Sequence, residues 1–205
     1  MSETAHHDEH RDDVASKLGM WLFIFTELLL FGGLFITYAV YRHNHLEAFN
    51  QAAQNLDVKV GAVNTVILLI SSMTIAMATT AIQKKNKRLT LALIGTTIIL
   101  ALVFMVNKYF EWGHKIEIGL YPGSPVLEEL GQGKLLFFAL YYFMTGLHAL
   151  HIVIGVVILA VVLVKVWNNR LTFDNFQLLE NGGLYWHLVD IIWIFLFPLF
   201  YLITL

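Results

Sequence analysis

Long apolar runs separated by short polar links dominate the pattern of this chain. Five runs carry few or no Asp, Glu, Lys or Arg residues: 18–41, 60–83, 89–107, 135–164 and 182–205. A helix needs about 20 mainly apolar residues to cross a bilayer, so each run predicts a membrane-spanning helix. The runs are apolar on all faces, whereas strands of a membrane barrel alternate with period two. The chain is therefore predicted to be all-α, a polytopic membrane protein forming a bundle of five transmembrane helices.

The first 17 residues are polar and are predicted to be a disordered tail, followed by one membrane domain over residues 18–205. The tail contains His6, His7 and His10 among Asp and Glu residues, and weak metal binding by these imidazoles is the alternative interpretation. The run 18–41 lacks a small-residue cleavage site near its end and is too long for the core of a signal peptide. We therefore expect it to remain as a membrane helix.

Composition excludes several classes of protein. Of the 205 residues, 58% are hydrophobic and 14% are charged, and the net charge is −2. The chain thus lacks the basic surface of a nucleic-acid-binding protein. It contains no cysteine, which excludes disulfides, zinc–thiolate sites, iron–sulfur clusters and c-type haem.

Positively charged residues predict the orientation, because Lys and Arg concentrate in short cytoplasmic loops. Eight of the thirteen Lys and Arg residues fall before the first span, between spans two and three, or after span four. Four of these crowd one link, at Lys84, Lys85, Lys87 and Arg88. The N-terminus is therefore predicted to be cytoplasmic and the C-terminus periplasmic.

Glu27 is a carboxyl group inside the first span. It lies nine residues after Leu18, or about 13 Å along a helix at 1.5 Å per residue, which places it near mid-membrane. A charged group there costs about 2.5–3.5 kcal/mol on insertion scales, so it needs a partner. His148 and His151 are three residues apart on span four and share a helix face. We expect Glu27 to face one of these two imidazoles.

Two further pairs show the same spacing of three residues. His187 and Asp190 lie on the last span, and Lys108 and Glu111 lie near the end of the third. We expect His187 and Asp190 to face the bundle, because unpaired polar groups are costly in hydrocarbon.

These polar residues allow three interpretations. A cofactor site is disfavoured, because a di-iron bundle needs Glu-x-x-His on two helices and no such motif occurs within the spans. A proton relay or an independent transporter is the second interpretation. The third, which we favour, is that the side chains hydrogen bond across helices and fix the geometry of the bundle.

Small and aromatic residues predict how the helices pack. Small residues let helix backbones approach closely, and we expect this of Gly32, Gly33, Gly146 and Gly155, and of the Ser and Ala residues between 71 and 81. The aromatic residues of span five, from 185 to 201, are predicted to face lipid and the membrane interface.

In their order along the chain, the polar motifs resemble subunit III of haem-copper terminal oxidases. The segments that carry the resemblance are Phe25-Thr26-Glu27-Leu28-Leu29-Leu30-Phe31, Asn64-Thr65, Lys108-Tyr109-Phe110-Glu111-Trp112, Thr145-Gly146-Leu147-His148-Ala149-Leu150-His151 with Gly155, and Glu180 followed by Tyr185-Trp186-His187-Leu188-Val189-Asp190-Ile191-Ile192-Trp193. The resemblance covers the chain after the tail, and it is to the five-helix bacterial form, which lacks two helices that shape the lipid cleft of longer members.

The resemblance implies a non-catalytic subunit in the bacterial inner membrane, without cofactors of its own. It would pack on catalytic subunit I, which carries haem and copper, beside subunit II, and phospholipid would bind in a cleft. The complex would reduce oxygen and pump protons. A cytochrome c oxidase is the expected type, and a quinol oxidase or a nitric-oxide-reductase-associated homologue is the alternative. The resemblance also implies that Glu27 is the family's carbodiimide-reactive acid, acting either as a brace, which we favour, or as a proton carrier.

Overall fold

The computed structural model describes the backbone of residues 3–172 and 175–203, and the side chains of these ranges from Ala15 onward. The helices in chain order are α1 (Glu3–Asn44), α2 (Leu46–Ala53), α3 (Val58–Gln83), α4 (Lys87–Glu117), α5 (Pro125–Glu129), α6 (Gln132–Trp167) and α7 (Gln177–Tyr201). Within the described residues, five helices are long and apolar enough to cross a membrane: α1, α3, α4, α6 and α7. The predicted all-α, five-span fold is confirmed.

Helix α4 runs well beyond its predicted end at residue 107, to Glu117. The predicted end was wrong because the charged residues that follow it, Lys108, Glu111 and Lys115, indicated the polar end of a membrane span. Instead all three side chains are buried and compensate one another, so the charges do not end the helix.

Helix α1 begins at Glu3, where the sequence predicted a disordered tail. The segment from residue 3 to 17 contains neither Gly nor Pro. Once the membrane span is helical, adding turns to its end no longer carries the cost of nucleation. The side chains of His6, His7 and His10 lie outside the described residues, so the metal-binding alternative stays a prediction.

Polar caps fix the short link between α3 and α4 and the start of α3. The Asp57 carboxylate accepts hydrogen bonds from the amides of Lys59 at 2.8 Å and Val60 at 3.4 Å. The Asn86 side chain accepts from the amide of Leu89 at 3.2 Å. Such caps satisfy amides that have no partner in the first turn. The link of three residues between Gln83 and Lys87 turns the chain back, so that α4 packs against α3.

Helix α7 occupies the centre of the bundle, in contact with α1, α3 and α6. In its most apolar window 56% of the residues are buried, against 11% for α1 at the periphery. The prediction that the aromatic residues of α7 face lipid was therefore wrong for most of them. Only Phe195 is largely exposed, whereas the buried ones are Tyr185, Trp186, Trp193, Phe200 and Tyr201. Hydropathy does not separate a lipid-facing ring from a core ring, because both environments are apolar.

The predicted role of the small residues holds for some glycines only. A Cβ atom on Gly155 would lie 2.8 Å from the Trp186 ring, so this glycine lets α6 and α7 approach. At Gly32 and Gly33 nothing lies within 4 Å of such an atom. For these two the prediction of close packing within the chain was wrong, because they lie on the sparsely contacted helix α1.

Candidate functional site

Glu27 on α1 meets His151 on α6, as predicted from their positions in the spans. His151 Nε2 lies 3.0 Å from Glu27 Oε2, and the side chains retain only 9% and 14% of their exposure. The contact joins the peripheral helix to the bundle at mid-span. Glu27 therefore has a specific polar partner within the chain.

The other contacts of His151 determine how protons are shared in this pair. His151 Nδ1 lies 2.8 Å from the carbonyl oxygen of Leu147, an acceptor only, so Nδ1 carries a proton. Nε2 then either accepts a proton from a neutral Glu27 carboxyl or donates one to its carboxylate. In both states the pair has no net charge, which suits its position in the membrane.

Backbone and ring contacts hold the imidazole of His151 in place. The Tyr185 hydroxyl donates a hydrogen bond to the His151 carbonyl at 3.1 Å, and the Phe31 ring meets the imidazole edge-on at 5.5 Å between centroids. Helices α1, α6 and α7 therefore all contribute to the position of the pair.

His148 shares a face of α6 with His151 but has different surroundings. It is fully buried, stacked on Trp193 at 5.2 Å and edge-on to Phe104 at 5.8 Å between centroids. Neither ring nitrogen has a hydrogen-bond partner among the described residues. His148 is thus surrounded by aromatic rings and does not face Glu27.

A second polar cluster, the α4-end cluster, consists of Lys108, Glu111 and Lys115 of α4, Tyr141 of α6 and Tyr201 of α7. Glu111 accepts from the ammonium groups of Lys108 at 3.0 Å and Lys115 at 3.1 Å. It also accepts from the hydroxyls of Tyr141 at 2.8 Å and Tyr201 at 2.6 Å. This cluster ties three helices together through one buried carboxylate.

The predicted pair of Lys108 and Glu111 was thus only part of the arrangement. Lys115, Tyr141 and Tyr201 were missed. The spacing of four residues between Glu111 and Lys115 is a helical-neighbour signal that pointed to Lys115. The two tyrosines come from distant parts of the chain, and no local pattern indicates them.

The remaining predicted residues line the contacts that α3 makes with α7 and α4. His187 Nδ1 lies 2.7 Å from the Ser72 hydroxyl. Asp190 is buried beside Ser72, and no side chain or backbone group that the structure describes makes a well-formed hydrogen bond to its carboxylate. The side chain of Asn64 accepts from Asn107 at 2.9 Å. His187 and Asp190 face the bundle, as predicted.

The polar side chains described above join helices to one another. Among residues 15–172 and 175–203, whose side chains are described, no group of three or more His, Asp or Glu side chains could hold a metal ion. The polar groups instead form separate contacts, each joining two or three helices.

Comparison with known proteins gives the family. The family model described as "Cytochrome c oxidase subunit III" matches residues 1–204. The chain is 31% identical to cytochrome c oxidase subunit 3 of Thermostichus vulcanus, covering 97% of this chain and 92% of the relative. It is 29% identical to cytochrome bo(3) ubiquinol oxidase subunit 3 of Pseudomonas aeruginosa, covering 98% and 91%.

A third relative is named as a fusion of two subunits. The chain is 34% identical to the heme-copper oxidase subunit I+III of Aeropyrum pernix, covering 91% of this chain and 22% of that protein. The chain thus spans about a fifth of that relative and about nine tenths of the other two. It is a multi-pass membrane protein and belongs to the subunit III family of haem-copper oxidases.

Proposed function

We propose that this chain is the cofactor-free subunit III of a proton-pumping cytochrome c oxidase in the bacterial inner membrane. It packs on catalytic subunit I beside subunit II, with its N-terminus cytoplasmic and its C-terminus periplasmic. There it binds phospholipid and supports sustained oxygen reduction and proton uptake. The fused relative, named subunit I+III, supports direct packing on the catalytic subunit.

One observation carries the non-catalytic role: among the described residues, the Glu27 and His151 side chains hydrogen bond to each other and to the Leu147 carbonyl, and to no further titratable side chain. A proton relay needs a continuous line of hydrogen bonds. On the bundle side of the pair the next titratable group on α6 is His148, whose nitrogens have no partner among the described residues. This supports a brace between α1 and α6, at the membrane-spanning helix that contacts the rest of the chain least.

Two cavities beside α1 support the binding of lipid. One, of about 230 Å³, is lined by apolar residues of α1 and α7 that include Leu28, Phe35 and Phe195. The other, of about 480 Å³, lies between α1, the end of α3 and the start of α7, and is lined by Lys17, Trp21 and other residues. The first cavity suits an acyl chain, and the second, whose lining includes the ammonium-bearing Lys17, suits a headgroup.

The electron donor has a second candidate. The relative in Pseudomonas aeruginosa is named a ubiquinol oxidase subunit, and its identity to this chain is similar to that of the cytochrome c oxidase relative. The test is oxygen uptake by the purified complex. Uptake with reduced cytochrome c and none with quinol supports our proposal, and the reverse makes the complex a quinol oxidase.

A third possibility, an independent transporter, is distinguished from both kinds of oxidase subunit by purification in mild detergent. We expect the tagged chain to bring haem-containing subunits with it. A chain that purifies alone from cells that respire through an intact oxidase would contradict the proposed function.

A further inference from the structure

A cavity of about 610 Å³ lies where α3 begins and α4 ends, beside the α4-end cluster. Its wall includes Lys59 at the start of α3 and Asn107, Glu111 and Lys115 on α4. It lies at the opposite ends of α3 and α7 from the polar cavity beside Lys17. The roles proposed above for lipid and for bracing do not use it.

The two buried lysines of the α4-end cluster differ in how many of their donors are used. An ammonium group has three N–H donors. Lys108 uses all three, on Glu111, Tyr141 and Tyr201. Lys115 donates to Glu111 only, although 96% of its side chain is buried. Its ammonium also lies 5.8 Å from the centroid of the Tyr141 ring. Two of its donors have no hydrogen-bonding acceptor atom among the described residues, and Lys115 is one of the residues that line the cavity.

Among the charged side chains at the cavity, Lys115 is the buried cation whose positive charge is not balanced by a carboxylate of its own. Glu111 is surrounded by four donors, and its charge is balanced by Lys108. Asp57 also lines the cavity, but its carboxylate caps the first amides of α3. Lys59 adds an exposed cation at the rim. Burial of an ammonium without a full set of acceptors is costly, and a bound anion removes that cost.

The depth of the cavity in the membrane points to the kind of anion. Exposed aromatic residues at this end of the bundle include Tyr109, Phe110 and Tyr121. Tyr and Trp side chains concentrate at the level of the lipid headgroups. The anionic group that a membrane presents at that level is a phosphoryl group.

We propose that this cavity binds a phosphoryl group, with Lys115 as its buried donor and Lys59 as a second cation at the rim. The group comes either from a phospholipid headgroup or from free phosphate. Bound there, it completes the charge balance at the junction of α3, α4, α6 and α7.

The test uses the complete chain purified with its partner subunits. In one arm the complex is reconstituted into phosphatidylcholine vesicles with a minor fraction of phosphatidylglycerol, re-extracted, and its tightly held lipids are counted by mass spectrometry. In the other arm, binding of radiolabelled inorganic phosphate to the delipidated complex is measured by equilibrium dialysis. The arm that shows binding to this cavity identifies the source of the phosphoryl group.

The decisive variant is Lys115→Gln, with Lys134→Gln as the control because Lys134 does not line the cavity. We expect Lys115→Gln to weaken binding about tenfold or more, as for a lost charge-assisted hydrogen bond, and Lys134→Gln to have no effect. Lys59→Gln changes an exposed residue and should weaken binding about threefold without disturbing folding. Wild-type binding by both Lys115→Gln and Lys59→Gln in both arms would overturn the proposal. If Lys115→Gln fails to assemble, wild-type binding by Lys59→Gln alone overturns it.

Discussion

Replacing Glu111 by Gln tests whether the α4-end cluster stabilises the bundle. The substitution keeps the size of the side chain and one acceptor oxygen but removes the negative charge. The ammonium groups of Lys108 and Lys115, each with 4% of its side chain exposed, would then be buried without a counter-charge.

The magnitude follows from this burial. Removing one partner of a buried ion pair costs about 3–5 kcal/mol, because an uncompensated charge remains in the interior. We therefore expect the free energy of unfolding to fall by about 3–5 kcal/mol. The matched control is Glu117→Gln, at the exposed end of the same helix, which should change it by less than about 0.5 kcal/mol.

The assay is reversible unfolding by sodium dodecyl sulfate in bicelles, followed by tryptophan fluorescence and circular dichroism. A second variant that replaces Lys108, Glu111 and Lys115 together by apolar residues should recover most of the loss, since well-packed apolar residues often replace a buried ion cluster without cost. The reasoning is refuted if Glu111→Gln and Glu117→Gln unfold at the same detergent fraction.

Three further predictions concern packing, topology and cofactors. Gly155→Ala should cost about 1–3 kcal/mol by overpacking against Trp186, whereas Gly32→Ala should be near neutral in the same assay. The chain has no native cysteine, so single cysteines can report the orientation. A membrane-impermeant maleimide applied to intact cells should label the variant Glu128→Cys and not Lys84→Cys. The reverse labelling would contradict the proposed orientation. The isolated chain should be colourless and contain no stoichiometric iron or copper by mass spectrometry; a haem band lost in His148→Ala would contradict this.

The number and type of helices could be predicted because run length and apolarity follow directly from the thickness of the bilayer. The partner of Glu27 could also be predicted, because a carboxyl group at mid-membrane requires one and His148 and His151 share a face of another span. Here the cost of an unpaired charge in hydrocarbon supplied the constraint.

Other features could not be read from the sequence. The burial of Trp186 and Trp193 depends on α7 being central, and hydropathy does not distinguish core from lipid. Tyr141 and Tyr201 join Glu111 only through the packing of α4, α6 and α7. The end of α4 was predicted too early because charges that neutralise one another inside a protein resemble charges that face water.

The central claim is that this chain braces the oxidase and carries no protons itself. Substitution of Glu27 tests this claim most directly. The measurement is proton release together with oxygen uptake, by stopped flow, for the assembled complex in vesicles. Glu27→Gln keeps hydrogen bonding to His151 but removes titration, and initial oxygen consumption and pumping should stay near wild type. Glu27→Leu removes the contact, and activity should decay faster during turnover. Loss of pumping in a fully assembled Glu27→Gln complex would contradict the account and make Glu27 a proton carrier.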